Sequence, residues 1–545
     1  MLEKVNEIYP VRYTAFLASV VLLVFTLLGA GVTGLSGWWP VLFLFLSLVG
    51  LHDLKQEHHA ILRNYPVIGH LRFMFEYIRP EIRQYFLESE TDATPFSRAQ
   101  RSLVYSRAKG DSDKRPFGTQ LDIRAVGYEW INHSIATTQL QSHDFRIQIG
   151  GSACKQPYSM SRFNISAMSF GALSANAILA LNLGAKRGGF AHDTGEGSIS
   201  RHHRTHGGDL IWEIGSGYFG CRDASGHFSP EHFTENVKSE QVKMVEIKLS
   251  QGAKPGHGGV LPGPKVTPEI AQARGVPEGV DCVSPAAHSR FSTPLELMAF
   301  VQELRTLSQG KPVGMKLCIG HPWEWFGIVH AMLHTGIRPD FIVIDGAEGG
   351  TGAAPLEFSD HMGTPMQEGL RLVHNTLVGV GLREHIRLGA SGKIISAFDV
   401  ARTLALGADW CNAARSFMFA LGCIQSRSCH TDECPTGVAT QNALRQRGLD
   451  VADRANRVVN FHRATVQSLG ELIGAAGLDS PAQLKAGSFM IRDDKGQPVP
   501  LSSIYPEIDH RVLLDPSHTG YVALPAIYRV AWEKSSADRF KGSAP

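Results

Sequence analysis

From about residue 150 the chain repeats one phrase: a short apolar run, a Gly-rich or polar turn, then a helical stretch. Strand candidates fall at 163–168, 189–192, 244–249, 281–284, 313–318, 341–345, 386–388 and 409–412. Helix candidates lie between them at 175–186, 294–307, 323–334, 366–382 and 397–406. Strands that alternate with helices pair in parallel through right-handed crossovers. Eight such units predict an α/β chain built as a (β/α)8 TIM barrel rather than an open doubly wound sheet. No Gly-x-Gly-x-x-Gly follows any strand candidate, which counts against a dinucleotide-binding sheet. The long gap at 197–243 reads as an insertion. In a barrel, chemistry gathers at the carboxyl ends of the strands, so polar motifs there carry the functional reading.

The amino terminus follows a different rule. Residues 13–51 contain no Asp, Glu, Lys or Arg and are dense in Leu, Val and Phe. The stretch is longer than a signal-peptide core of about 7–15 residues. It suits two membrane helices of roughly 17–20 residues, about 13–32 and 36–51. Thr33-Gly-Leu-Ser-Gly37 would form the turn, with Trp38 and Trp39 as interfacial anchors. Lys4 and Arg12 flank one end, Lys55 and Arg63 the other, and the turn is uncharged. The positive-inside rule then keeps both ends cytoplasmic, predicting an inner (cytoplasmic) membrane protein whose catalytic domain faces the cytoplasm. The expected domains are an anchor at 1–55, a helical linker at 56–150, the barrel at 151–475 and an extension at 476–545. Within the linker, amphipathic helices are expected, with Pro80 interrupting the pattern and 106–115 a solvated loop. A net charge of +2 gives no argument for nucleic acid. Eight scattered cysteines point to a reducing compartment rather than a disulfide framework.

The strand ends hold the candidate chemistry. The first leaves into Ser166-Ala-Met168-Ser169-Phe-Gly, whose small residues would let a flat ligand approach the backbone. The second ends in His192-Asp-Thr-Gly-Glu196-Gly, which sets Glu196 near the mouth as a proton-handling or ammonium-facing carboxylate, or as a plain surface turn. After the third come Lys248, Gln251, Lys254 and Lys265, separated by glycines, a donor-rich loop suited to a dicarboxylate. Ser284, at the end of the fourth candidate, lies on the same substrate side. Lys316 interrupts an apolar strand; it either forms a structural ion pair or stabilises negative charge on a reduced flavin. Gly349-Gly350-Thr351-Gly352, Ser391-Gly392-Lys393 and Ala414-Arg415 follow the last three strands. The last two positions are where barrels commonly bind phosphate, and with Lys316 across the mouth they would fit FMN.

Cys423, Cys429 and Cys434 lie within one short segment ending in Cys-Pro. Soft thiolates select iron–sulfur clusters or zinc. Three thiolates fit a three-iron cluster or a four-iron cluster completed from elsewhere. Zinc with His430 as fourth ligand and unliganded core cysteines are the rival readings.

Taken together, Ser166-Ala-Met-Ser-Phe-Gly-Ala-Leu-Ser, Gly195-Glu-Gly, Gln251-Gly-Ala-Lys-Pro-Gly, Gly349-Gly-Thr-Gly-Ala and Cys423-x5-Cys429-His-x4-Cys434-Pro resemble the FMN-binding synthase domain of the glutamate synthase family. The resemblance spans roughly 150–475 and is closest to stand-alone, membrane-anchored members. It implies FMN beside a 3Fe-4S cluster, and reduction of 2-iminoglutarate, formed from 2-oxoglutarate and ammonia or glutamine-derived ammonia, to L-glutamate. It implies Cys423, Cys429 and Cys434 as cluster ligands and Lys316 facing the flavin. Lys248, Gln251 and Lys254 would line the 2-oxoglutarate side, with Gln251 also near the cofactor and Glu196 near the incoming ammonia. Electrons would come from a donor such as ferredoxin or a reductase subunit. Ala390-Ser-Gly-Lys393 departs from the family's Gly-Gly-x-Lys pattern. An N-methylglutamate synthase-type enzyme using another amine and a non-catalytic electron-transfer subunit are the alternatives.

Overall fold

A computed structural model describes residues 11–33, 37–89, 91 and 94–541. Lys4 and the turn positions 34–36 lie outside the described residues. The chain divides into two compact units, 1–98 and 99–545.

In the first unit, helices α1 (Thr14–Thr33) and α2 (Trp38–Lys55) pack as a hairpin. Ser19 and Ser47 hydroxyls meet at 3.3 Å between them, while Phe25, Leu28 and Phe45 point outward. Both helices are long and apolar enough to cross a membrane by length and composition. Buried Asp53 near the end of α2 accepts from the Val67 N–H at 2.9 Å and lies 2.9 Å from His70 Nε2, which fixes the start of the helix Gly69–Ile82. That helix runs through position 80 and ends in a π-helical turn at Arg83–Leu87, so the proline does not break the pattern where the sequence suggested.

In the second unit eight parallel strands close into a barrel. They are β1 (Phe163–Ile165), β2 (His192–Asp193), β3 (Leu210–Ile214), β4 (Val242–Lys248), β5 (Val313–Leu317), β6 (Phe341–Asp345), β7 (Arg387–Ser391) and β8 (Trp410–Ala413). The barrel class stands as predicted, but its membership differs. The third strand is Leu210–Ile214, inside the stretch read as an insertion. The 281–284 candidate is instead a two-residue strand, Cys282–Val283, paired antiparallel with Val260–Leu261 outside the barrel. The omission follows from length: the segment between the second and fourth barrel strands is long enough to read as an insertion, although it carries a short apolar run of its own.

The helices sit where the pattern put them because their starts are chemically marked. Ser174, Thr293 and Ser396 accept hydrogen bonds from the N–H groups of Ala177, Glu296 and Asp399, capping Ala175–Gly188, Pro294–Leu307 and Ala397–Ala405. An antiparallel hairpin, Arg146–Ile149 with Tyr158–Ser161, plugs the amino end of the barrel. Its Ile149, Tyr158 and Met160 pack against inner-wall Ile211, Met244, Phe341, Val343 and Trp410. Phe489–Arg492 pairs with Glu129–Ile131, joining the carboxy-terminal extension to the segment before the barrel. The 106–115 segment is partly helical: Arg98–Lys109 is a helix, and buried Arg107 donates to Asp113, Thr465 and Ser468.

Candidate active site

Register places charge on the inner wall at the carboxyl end. Across β3, β4 and β5, Glu213 pairs in register with Glu246, and Lys248 with Lys316. Residues paired across neighbouring strands share a face, so each pair projects to the same side of the sheet. Lys316, 4% exposed, donates from Nζ to Glu213 Oε2 at 2.8 Å. Burial acts against the Lys316 charge, but Glu213, Asp345, Asp193 and Glu246 outweigh it and hold its pKa well above the ordinary lysine value.

From that pair a chain of alternating charge leads outward. Lys248 Nζ lies 3.9 Å from Glu213 Oε1 and 3.1 Å from Glu196 Oε2, and donates to Gln251 Oε1 at 2.7 Å. Burial alone would raise the Glu196 pKa; Lys248, with Arg274 and Lys254, overrides it and keeps this carboxylate ionised below its usual range. Glu196 is positioned by Gly195, whose φ of +65° and approach to the Ser169 N–H (a Cβ would sit 2.7 Å away) tie the β2 loop to the β1 loop. His288 braces Lys248 from behind, with Nε2 2.9 Å from its carbonyl oxygen. Burial lowers the His288 pKa to about 4, so the ring is neutral.

Glu196, Ser216, Lys248, Gln251, Lys254 and Gly259 line a narrow cleft above this chain. Lys254, buried, donates to the Gly258 carbonyl at 3.1 Å, and Ser284 donates its N–H to the Gly259 carbonyl at 2.8 Å. Gly252 permits the loop to close: a Cβ there would fall 1.7 Å from the Gly346 carbonyl oxygen. Lys265, from the same loop, turns the other way and donates to the Cys429 carbonyl at 2.7 Å. A larger cavity of about 320 Å3 opens at the amino end around Tyr158, Val242 and Lys311; none of the singled-out residues lines it.

The β6–β8 side is less charged. Asp345 accepts from the Gly252 N–H at 3.0 Å and from Ser391 Oγ at 2.9 Å, and Ser391 Oγ lies 3.4 Å from Ser166 Oγ. Met168 is buried, with Ser169 half-exposed beside it. The Gly349–Gly352 loop, including exposed Thr351, passes over Arg415 and Cys429: Cβ atoms at Gly350 and Gly352 would meet those side chains. Gly392 abuts Glu348, Lys393 is exposed, and Ala414 precedes the helix Arg415–Leu421.

The three cysteines follow that helix. Tyr105 Oη donates to the Cys423 carbonyl at 2.6 Å, pinning the loop from the helix Arg98–Lys109. Burial raises the Cys423 thiol to about 12 and, together with Cys434, also raises Cys429. Burial would raise Cys434 too, but the Thr436 hydroxyl and the backbone N–H groups of Ala439, Thr436 and Val438 outweigh it and favour its thiolate. Lys265 and Arg415 add positive charge beside Cys429.

The residue that sequence reasoning missed is Glu213, and with it the role of two neighbours. Among the described residues, Asp193, Glu213 and Glu246 bring carboxylate oxygens within 4.8 Å of one another, all buried. The available signal was the acid in Leu210-Ile-Trp-Glu-Ile214, ended by Gly215, matched against the lone lysine of β5.

Comparison with known proteins agrees with this architecture. The conserved region in glutamate synthase matches residues 131–479. Glutamate synthase large subunit-like protein YerD of Bacillus subtilis is 35% identical over 519 residues, covering 88% of this chain and 98% of that protein. An archaeal glutamate synthase (NADPH) of Methanocaldococcus jannaschii is 37% identical over 331 residues, covering 60% of this chain and 61% of the archaeal one. The match to the B. subtilis glutamate synthase (NADPH) large chain is 35% over 325 residues but only 20% of that protein's length. Matched along the whole of its barrel, and along nearly the whole of YerD, the chain belongs to the glutamate synthase family.

Proposed function

We propose that the chain is a glutamate synthase-type oxidoreductase that reduces 2-iminoglutarate, formed from 2-oxoglutarate and ammonia, to L-glutamate. The reading places FMN at the strand ends and a 3Fe-4S cluster on Cys423, Cys429 and Cys434. One observation carries it: the loop after β4 lines the cationic cleft and, through Lys265, hydrogen-bonds the carbonyl of Cys429. Substrate-side and cysteine-side elements are thereby parts of one unit.

The residues fit both groups. Buried Lys316 and the Ser166 and Ser391 hydroxyls supply donors at the mouth, with the Arg415 cation nearby. Cys434 sits among backbone N–H groups, and cations flank Cys429, as suits an anionic cluster. When bound, FMN would supply hydride and the cluster single electrons.

The chain's own residues do the rest. Lys248 and Lys254, with Gln251, would hold the carboxylates of the 2-oxo acid as point charges. Glu196, kept ionised, would attract ammonium to the cleft, and Lys248 would give a proton to the imine nitrogen. Electrons would arrive from a separate donor such as ferredoxin or a reductase subunit. The apolar α1–α2 hairpin supports anchorage in the inner membrane with the barrel on the cytoplasmic side. Membrane fractions should retain the protein after alkaline carbonate extraction, while protease reaches the barrel only from the cytoplasmic face.

The test is anaerobic purification followed by turnover with reduced ferredoxin or dithionite-reduced viologen, 2-oxoglutarate and ammonium. Glutamate formation with flavin reoxidation is the expected result. A colourless protein, or none of the amino acid formed, overturns the reading.

A further inference from the structure

The proposed reaction gives no step to Glu246, which sits on β4 with no exposed surface. Among the described residues no N–H or hydroxyl donor reaches either of its carboxyl oxygens, and the group in hydrogen-bonding position beside it is another acid, Asp193. Its neighbours are Asp193 from β2 and Glu213 from β3, with oxygens within 4.8 Å, and the facing cation is Lys316 from β5. Asp345 from β6 adds further negative charge around that lysine, and Lys248 lies at the outer end of β4. Lys316 is already committed to Glu213 at 2.8 Å. Ionised acids crowded in this way, one without a donor, would carry a desolvation and repulsion cost of several kcal/mol. A divalent cation could relieve it, but the Lys316 ammonium occupies the same cluster and would repel such an ion. A proton relieves it more simply: two acceptor carboxylates repel, whereas a carboxyl beside a carboxylate makes a hydrogen bond.

We propose that Asp193 and Glu246 share one proton and form the buried end of a path that passes through Glu213 to Lys248 at the cleft. The path rests on the reading of the site as one that reduces an imine. There, the carbon of the C=N bond gains a hydride and the nitrogen gains a proton. Lys248 gives up that proton and closes its 3.9 Å gap to Glu213 to take a replacement from the Asp193–Glu246 pair; between turnovers a proton from cleft solvent returns to the pair along the same residues, through Lys248 and Glu213. Only O–H and N–H bonds form or break along the path. Both carboxyls bear the mark of this arrangement. Burial and the neighbouring acids raise Asp193 to about 7 and Glu246 well above the ordinary carboxylate value.

Infrared spectroscopy of the holoenzyme tests the shared proton without reference to turnover. The expected result is a protonated-carboxyl stretch that shifts in D2O and is lost in Glu246→Gln. Asp193→Asn is the second variant, which should also change this band, and serves if the first fails to fold. No such band, or a band unchanged in both variants, overturns the pair. So does one equivalent of tightly held divalent metal in wild type that Glu246→Gln releases. For the path, Glu246→Gln should lower kcat on the order of 10–100-fold with KM for 2-oxoglutarate unchanged, and shift the alkaline limb of the pH profile, with Glu246→Asp restoring part of both. An unchanged kcat and pH profile would leave a stored proton but overturn the path. Wild type that shows the band yet makes no glutamate overturns the proposed reaction alone.

Discussion

Between β2 and β5 the barrel wall carries Asp193, Glu213, Glu246, Lys248 and Lys316, whereas β7, β8 and β1 contribute Gly389, Ser391, Asn412 and Asn164 at the corresponding register positions. Both arcs are buried and both end at the same mouth, yet one is ionic and the other neutral. The ionic arc is held by mutual compensation: each charge is tolerable only because its neighbours are present. The neutral arc depends on nothing of the kind: the Trp410 ring covers Gly389, and Ser391, Asn412 and Asn164 follow in register as short uncharged side chains. On the proposed function, substrate charge and protons would belong to the ionic arc and the cofactor to the neutral one.

The largest effect should fall where the neutral arc meets the cysteine loop. If the three cysteines hold the proposed 3Fe-4S cluster, Cys429→Ser is expected to reduce iron to background by metal analysis and remove the paramagnetic signal, while flavin absorbance persists. Next in size, Lys316→Met leaves Glu213 buried without its partner, and a loss of about 3–5 kcal/mol is expected in thermal or denaturant unfolding. Adding Glu213→Gln should recover most of it, whereas Ser391→Ala on the neutral arc should cost about 1 kcal/mol or less. Equal losses on the two arcs would break the comparison.

A smaller effect separates the arcs by pH. The folded pKa of Asp193 is raised from 3.8 to about 7, so the native state holds a proton that the unfolded chain has released. The stability contributed by Asp193 is therefore fully present below about 4 and is lost as pH rises to about 7, and Glu246, raised well above its ordinary value, carries the loss further in the same direction. Asp193→Asn should flatten that slope in a pH series of unfolding midpoints; Ser391→Ala should leave it unchanged. The smallest effect is Tyr105→Phe, which removes one hydrogen bond to the Cys423 carbonyl and should cost about 1 kcal/mol with a slight change in the cluster spectrum.

What could be read from sequence was what depends on near neighbours. Ser174, Thr293 and Ser396 announce helix starts within a few residues of the apolar runs they serve, so those helices fell into place. The cysteine spacing is equally local. The barrel itself was legible from alternation alone, but not the identity of every strand. Leu210–Ile214 and the Cys282–Val283 run look alike in isolation; only closure of the sheet shows that the first pairs with β4 and the second with Val260–Leu261. The acid cluster was hidden for the same reason. Asp193, Glu213 and Glu246 are far apart along the chain, and the register of three parallel strands brings their oxygens together. Lys316 reads from sequence as a buried lysine with a structural ion pair among its roles, but its partner Glu213 lies in a strand that only closure of the sheet reveals.

The pairing of Phe489–Arg492 with Glu129–Ile131 bears on how this protein can be cut. The family match ends at 479, so a fragment trimmed to that limit would keep Glu129–Ile131 but lose the strand that covers it. Its bare backbone amides and carbonyls would then be a template for strands of other molecules, and the pocket left by fully buried Phe489 would add an adhesive spot. Self-association of such a fragment would reflect an exposed sheet margin, not the habit of the intact protein.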